Sequence, residues 1–452
     1  MTNEIPRKSE RRSPMKKITI MLFAALLFSC FMLVGCEPAE SVPPEETAAQ
    51  TESESETEAV TETEPETEPI VIGDINLAEL YPVSQTESVV EVTYQETSYA
   101  KRKVPVPYLD IVSTESNLAY GYYNKNYFVG SNIFVVCKLS GYKLLAADLT
   151  EKVVYDLGIS CSHFSSYLVH DELIYYVGSD NHTLSVFDLR TGVNEVVYVF
   201  DHLIDGFIET TLDGRYISMT TYASPDADGK YRATIFDMEK REIIDIFDYI
   251  FEEEDPVANH HMLNPVDHTQ LFFAHDKSIH RNLDRMWLYE IGKEPYCIVD
   301  QETTVDENGN TIVLDQLTHE CWSYDGKGLW FVNYPLPEDA PYGICYIDLT
   351  SSDRTVQEKF TSYPYWHTSC SPDGKSVTGD TVWGNKNVIL INLETGEEKP
   401  VVQNIQIASG GLDPHPGFSR NSEMLMFEHL NKDTNLCAIG IIRIADVEWA
   451  EE

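Results

Sequence analysis

SYDGKGLWFVNYPLPEDAPYGICYIDL, residues 323–349, carries the pattern that decides the fold. Asp325-Gly326 is a tight-turn pair, because glycine takes positive φ without a Cβ clash. The apolar run Leu329–Asn333 follows the turn, and a second run, Ile344–Leu349, ends in an acidic residue and then an aliphatic one. Runs of this length bounded by turn signals read as strands. The second run recurs as LLAADL (144–149), LSVFDL (184–189), ATIFDM (233–238), MWLYEI (286–291), VILINL (388–393) and AIGIIRI (438–444), giving seven copies in all. The first run recurs as IFVVC (133–137), LIYYV (173–177), YISMT (216–220), LFFAH (271–275), SVTGD (376–380) and MLMFE (424–428). The turn recurs as TLDGR (211–215) and SPDGK (371–375). Seven equivalent units, 40 to 58 residues apart, predict an all-β chain folded as a seven-bladed β-propeller over residues 115–452. A pair of β-sandwiches is the rival architecture, but it accommodates seven equivalent units poorly.

Three segments precede the repeats. Residues 1–35 end in KKITIMLFAALLFSCFMLVG (16–35), two lysines followed by an uninterrupted apolar stretch, which reads as a secretory signal. Leu33-Val34-Gly35-Cys36 resembles a bacterial lipobox, so Cys36 is the expected lipidation site; a plain transmembrane anchor is the other reading. Residues 36–70 form an acidic Thr/Glu/Pro-rich stretch with twelve glutamates and no Lys or Arg, which reads as a disordered tether. Residues 71–114 read as an extension leading into the propeller. The expected location is outside the cell, with the membrane touched only through the N-terminal lipid.

The chain has 32 Lys and Arg against 74 Asp and Glu, a formal charge of −42. That balance excludes nucleic acid and anionic headgroups as natural partners. It also makes long polyanions poor ligands, so a short oligomer suits the protein better. Of nine cysteines, Cys30 and Cys36 fall in the signal region. The other seven are scattered without a CxxC pair and read as buried free thiols.

Propellers place chemistry where equivalent positions of neighbouring blades converge on the central channel. Four consecutive units open with a histidine at one phase of the repeat. These are His260 in NHHMLNP (259–265), His319 in LTHECW (317–322), His367 in YWHTSC (365–370) and His415 in LDPHPGF (412–418). One such histidine is more often a packing residue than a ligand. Four in phase point to a metal site or an acid–base site.

HHMLNPVDHTQLFFAHD (260–276), DRMWL (284–288), THECWSYDGK (318–327), HTSCSPDGKSVTGD (367–380) and DPHPGFS (413–419) together resemble the oligogalacturonate lyase family. The resemblance spans residues 115–447 and is densest from His260 to Phe418. It implies a propeller that cleaves short 4-linked galacturonides by β-elimination with a divalent ion, usually manganese. On the matching positions it implies His319 as the base and Arg285 as the residue that holds substrate and offsets charge. His260 and His275 are implied in substrate binding, and His367, Asp413 and His415 as metal ligands. The residue types suit the chemistry. A cation at the uronate carboxylate stabilises an enolate-like transition state, and a neutral imidazole removes the adjacent proton.

One stretch departs from that family. Its His-Pro-His-Pro, preceded by a glutamine, is here Gly410-Gly411-Leu412-Asp413-Pro414-His415-Pro416. Aspartate suits manganese or calcium, so a cation is still expected. Asp413 nevertheless removes one unit of positive charge, and Gly410 offers no side-chain ligand. The alternative function is a non-catalytic propeller that binds glycans or proteins.

Overall fold

The computed structural model describes residues 75–93, 106–121, 126–204, 206–220, 232–248, 258–275, 284–305, 309, 311–335, 343–382, 386–407 and 413–449. The signal, Cys36, the acidic tether and Gly410 lie outside the described residues.

Each of the seven sequence units is an antiparallel sheet, and together the sheets form a seven-bladed propeller. Blade two shows the plan: Tyr167–His170, Leu173–Val177, Thr183–Asp188 and Val193–Val199, paired in chain order. First strands of neighbouring blades touch one another, so they form the inner ring around the channel. The strands legible in the sequence are the second and third of each blade. They are legible because both faces are buried, as in Ile133–Lys138 and Tyr216–Thr220. Fourth strands lie outermost, and Val193–Val199 is mostly exposed. One hairpin, Thr303–Val305 with Thr311–Val313, is inserted between blades four and five.

Local chemistry sets the repeat. The acidic residue that ends a third strand accepts hydrogen bonds from the turn that follows. Asp148 Oδ1 takes the N–H groups of Thr150 and Glu151, both at 2.9 Å, and Asp188 and Asp237 do the same for their own turns. The next residue then donates its N–H back to the loop before the second strand, as in Leu149 to Asn132 and Leu349 to Lys327. In the Asp-Gly turns, Asp325 accepts the Ser323 hydroxyl and the Lys327 N–H, while Gly326 sits at φ 68°. Blade seven replaces Asp-Gly with Asn421-Ser422, and Ser422 takes φ 61°.

The ring is closed by both ends of the chain. Blade seven takes Gly417–Phe418, Met424–Asn431 and Leu436–Arg443 from the C-terminal part. Its two outer strands, Pro107–Ser113 and Glu87–Thr93, come from the segment read as a leading extension. The seam pairs Leu109 with Ile441 and Ile111 with Ile439. The ion pair Lys138–Glu87, at 2.7 Å, ties blade one to this seam. Just upstream, Ser84 donates its N–H to Val154 of blade one, and the Tyr81 hydroxyl donates to the Leu189 carbonyl of blade two. All seven cysteines among the described residues are free, and six of them are buried.

Candidate active site at the inner ring

The first strand of blade five, Asp315–Trp322, breaks register with its neighbour between Thr318 and Cys321. His319 lies in that break at φ 52°. Blade four breaks its first strand, Ala258–Leu263, between Asn259 and Met262, with His260 at φ 54°. Blade six breaks Tyr365–Cys370 between Tyr365 and Thr368, where His367 falls. His415, at φ 40°, stands two residues before the first strand of blade seven. A bulge adds residues to one strand and re-aims their side chains. Three bulges in consecutive blades therefore turn histidines out of the ladder at one level of the ring.

The imidazoles form a continuous row. Ring centroids are 5.8 Å apart for His260 and His319, 4.1 Å for His319 and His367, and 4.1 Å for His367 and His415. His367, Asp413 and His415 each present a ligand atom within 4.8 Å of the others'. His367 Nδ1 lies 2.9 Å from both oxygens of Asp380, a buried carboxylate that orients the ring. Asp380 also accepts the His367 N–H and, at 3.3 Å, the His415 N–H. His415 Nδ1 is 3.7 Å from Glu428. Tyr120 of blade one donates its N–H to Glu428 Oε1 at 3.1 Å and its hydroxyl to the His415 carbonyl at 2.7 Å, fixing the loop. Two imidazoles and a carboxylate, oriented by buried carboxylates behind them, fit a divalent cation.

Burial pushes Glu428 well above the usual carboxylate range and Asp380 up to about 6. Burial also holds His319 well below 6.5, helped by the neighbouring His367, His260 and Arg285. The imidazole of His319 is thus neutral at neutral pH and can accept a proton. Beside it, Tyr334 and Trp366 stack at 4.9 Å with rings 6° from parallel, and Trp366 lies 5.4 Å from His319.

The structure places Arg285 in a buried ion pair. Its Nε donates to Glu320 Oε1 at 2.7 Å, and Glu320 Oε2 lies 2.9 Å from His260 Nδ1. Burial raises the Glu320 proton affinity, but Arg285 and His260 outweigh it and hold the carboxyl well below its ordinary value. His275 sits at the end of the second strand of blade four, with Nδ1 3.0 Å from Asp284 and its N–H donated to the Arg285 carbonyl. Other histidines of this half lie elsewhere. His261 packs against Phe273 with its pKa lowered to about 3 by burial, and His268 stacks on Tyr216 of blade three.

Sequence reasoning missed Glu320, Asp380, Glu428, Trp366 and Lys386. A signal existed for two of them. Asp380 and Glu428 end SVTGD and MLMFE, at the position where blades one and two carry Cys137 and Val177.

These features define a seven-bladed propeller with an inner-ring histidine row next to a His/Asp cluster suited to a divalent cation. Solved structures with this fold include an oligogalacturonate lyase in complex with manganese: TM-score 0.63, 17% identity, 78% of this chain and 96% of that one. A second is the oligogalacturonate lyase from Vibrio parahaemolyticus: TM-score 0.62, 16% identity, 79% of this chain and 97% of that one. No protein-family model and no curated protein matches the sequence.

Proposed function

We propose that this chain cleaves uronic-acid oligosaccharides, galacturonides foremost, by cation-assisted β-elimination. The observation that carries the reading is the neutral imidazole of His319 packed 4.1 Å from His367, a member of the His367/Asp413/His415 cluster. A divalent cation at that cluster, manganese before calcium, supplies electrostatic stabilisation to the charge that builds on the substrate carboxylate. His319 takes the proton from the carbon bearing that carboxylate. Arg285, held by Glu320, adds positive charge near His319, whose imidazole is kept neutral chiefly by burial and by the neighbouring His367 and His260. His260 separates the two and orders the row. The likeness to structures of oligogalacturonate lyases supports the substrate class. The apolar stretch 16–35 and Cys36 support export and a lipid anchor on the outer face of the membrane.

The test is ultraviolet absorbance of the purified protein incubated with digalacturonate and manganese. β-Elimination creates a double bond conjugated to the carboxylate, so absorbance rises, and chelator or His319→Ala abolishes the rise. No rise across a panel of uronides, with metal demonstrably bound, overturns the enzyme reading. The second reading, a glycan-binding propeller without turnover, draws on the Lys386–Asp413 contact, which engages one oxygen of a cluster carboxylate. Glycan binding by His319→Ala, with no turnover in the parent, supports that reading instead.

A further inference from the structure

Lys386 has no part in the elimination scheme above, yet its position is unusual. It opens the third strand of blade six, Lys386–Asn392, and is almost fully buried. Its ammonium contacts Asp413 Oδ1 at 2.5 Å and lies 5.7 Å over the Trp366 ring. Trp366 is itself fixed by stacking on Tyr334 and lies next to His319. Lys386 also adds positive potential at His367, His415 and Asp380. A flexible ammonium is thus seated on an indole that neighbours His319 and on a carboxylate of the cation cluster.

We propose that Lys386 is a carboxylate-binding residue of the site, selecting an anionic sugar over its neutral counterpart. The inference rests on the uronide-lyase reading and deepens it. Removing a proton next to a carboxylate places a second negative charge on the same group. Of the two positive charges a divalent cation brings, Asp413 cancels one. The Lys386 ammonium restores it within contact distance of Asp413, and an ammonium is a compact point charge suited to a single carboxylate oxygen. Trp366 and Asp413 hold the ammonium so that the charge is in place before substrate binds, which limits the ordering entropy lost on binding.

The experiment is calorimetry on the full-length mature protein carrying His319→Ala, so that no turnover intervenes, with and without Lys386→Met. Digalacturonate and its methyl ester are the ligands, and manganese is titrated separately. The expected result is a loss of about tenfold or more in digalacturonate affinity. Methyl-ester affinity is unchanged and manganese affinity is undiminished, since an ammonium leaves Asp413. Equal weakening of acid and ester, or no weakening, overturns the proposal. A manganese affinity that falls in step with digalacturonate assigns Lys386 to support of the cluster and overturns it too. Lys386→Gln serves if the methionine variant fails to fold: lost preference for acid over ester supports the proposal, and retained preference counts against it. Turnover of the unmodified protein is measured in parallel. Elimination in the parent with discrimination intact in Lys386→Met sinks this inference alone; no uronide binding or turnover in the parent sinks both.

Discussion

Blades two and five follow one strand plan but treat their inner strands differently. In blade two, Tyr167–His170 pairs with the second strand without a break, Tyr167 to Tyr176 through His170 to Leu173. His170 at its end accepts a structural role, its Nε2 3.2 Å from the Leu212 carbonyl. In blade five the same ladder is interrupted, and His319 occupies the interruption in the left-handed region. A non-glycine residue there costs roughly 1–2 kcal/mol, so the fold gives up local stability to aim that ring at the channel. The contrast extends to the halves of the ring. Blades two and three keep their first-strand register, blade one pairs Leu118–Ala119 and Phe128–Val129 separately with its second strand, and blades four to six each break register at a histidine. The last residues of the second-strand runs differ too: Cys137, Val177 and Thr220 in blades one to three, His275, Asn333, Asp380 and Glu428 in blades four to seven. The candidate site thus departs from the repeated scaffold by extra residues in three inner strands and by polar groups behind them.

This comparison can be broken or sharpened by mutation. His319→Ala is expected to lower turnover by about 10²–10⁴-fold, read by ultraviolet absorbance, with the thermal midpoint nearly unchanged. Glu320→Gln leaves the buried Arg285 without its partner and is expected to cost about 3–5 kcal/mol, read by urea unfolding. The pH dependence of that loss has a definite sign. The folded-state pKa of Glu320 is depressed, so its contribution is full above the unfolded value of about 4.3 and fades as pH falls below it. Parent and Glu320→Gln should therefore converge in stability under acid. Asp380→Asn is expected to weaken manganese binding about 10–100-fold, measured by calorimetry, because His367 loses the acceptor that orients it. Gly374→Ala, at φ 67° in an open turn, should cost about 1–2 kcal/mol with no change in turnover. His170→Ala should change turnover less than about twofold; a large drop there would erase the distinction between the halves.

Much of the scaffold was legible because second and third strands are buried on both faces and therefore read as unbroken apolar runs. First strands were legible only through their histidines, since a bulge destroys the alternation that marks a strand. Fourth strands were hidden because segments such as Val193–Val199 face solvent. The outer strands of blade seven carried no local signal, as their partners are remote in sequence. In the site, repeat phase grouped His260, His319, His367 and His415, and only the family resemblance added Asp413. Arg285 was expected to meet substrate, but its ion pair with Glu320 depends on a side chain that only the folded ring brings near. Lys386 was illegible for a similar reason: it precedes a strand-forming run and looks like an exposed loop lysine until Trp366 and Asp413 are placed around it.

The two-ended seventh blade constrains the order in which the molecule can be built. Pro107–Ser113 is synthesised about 330 residues before Ile439 and Ile441, against which it must zip. Until that C-terminal stretch arrives, the growing array has unsatisfied sheet edges at both ends, which are sites for pairing with other chains. A truncation that removes Leu436–Arg443 should thus strand the earliest-made strands as well as the last, and the circle should mature only as a whole chain.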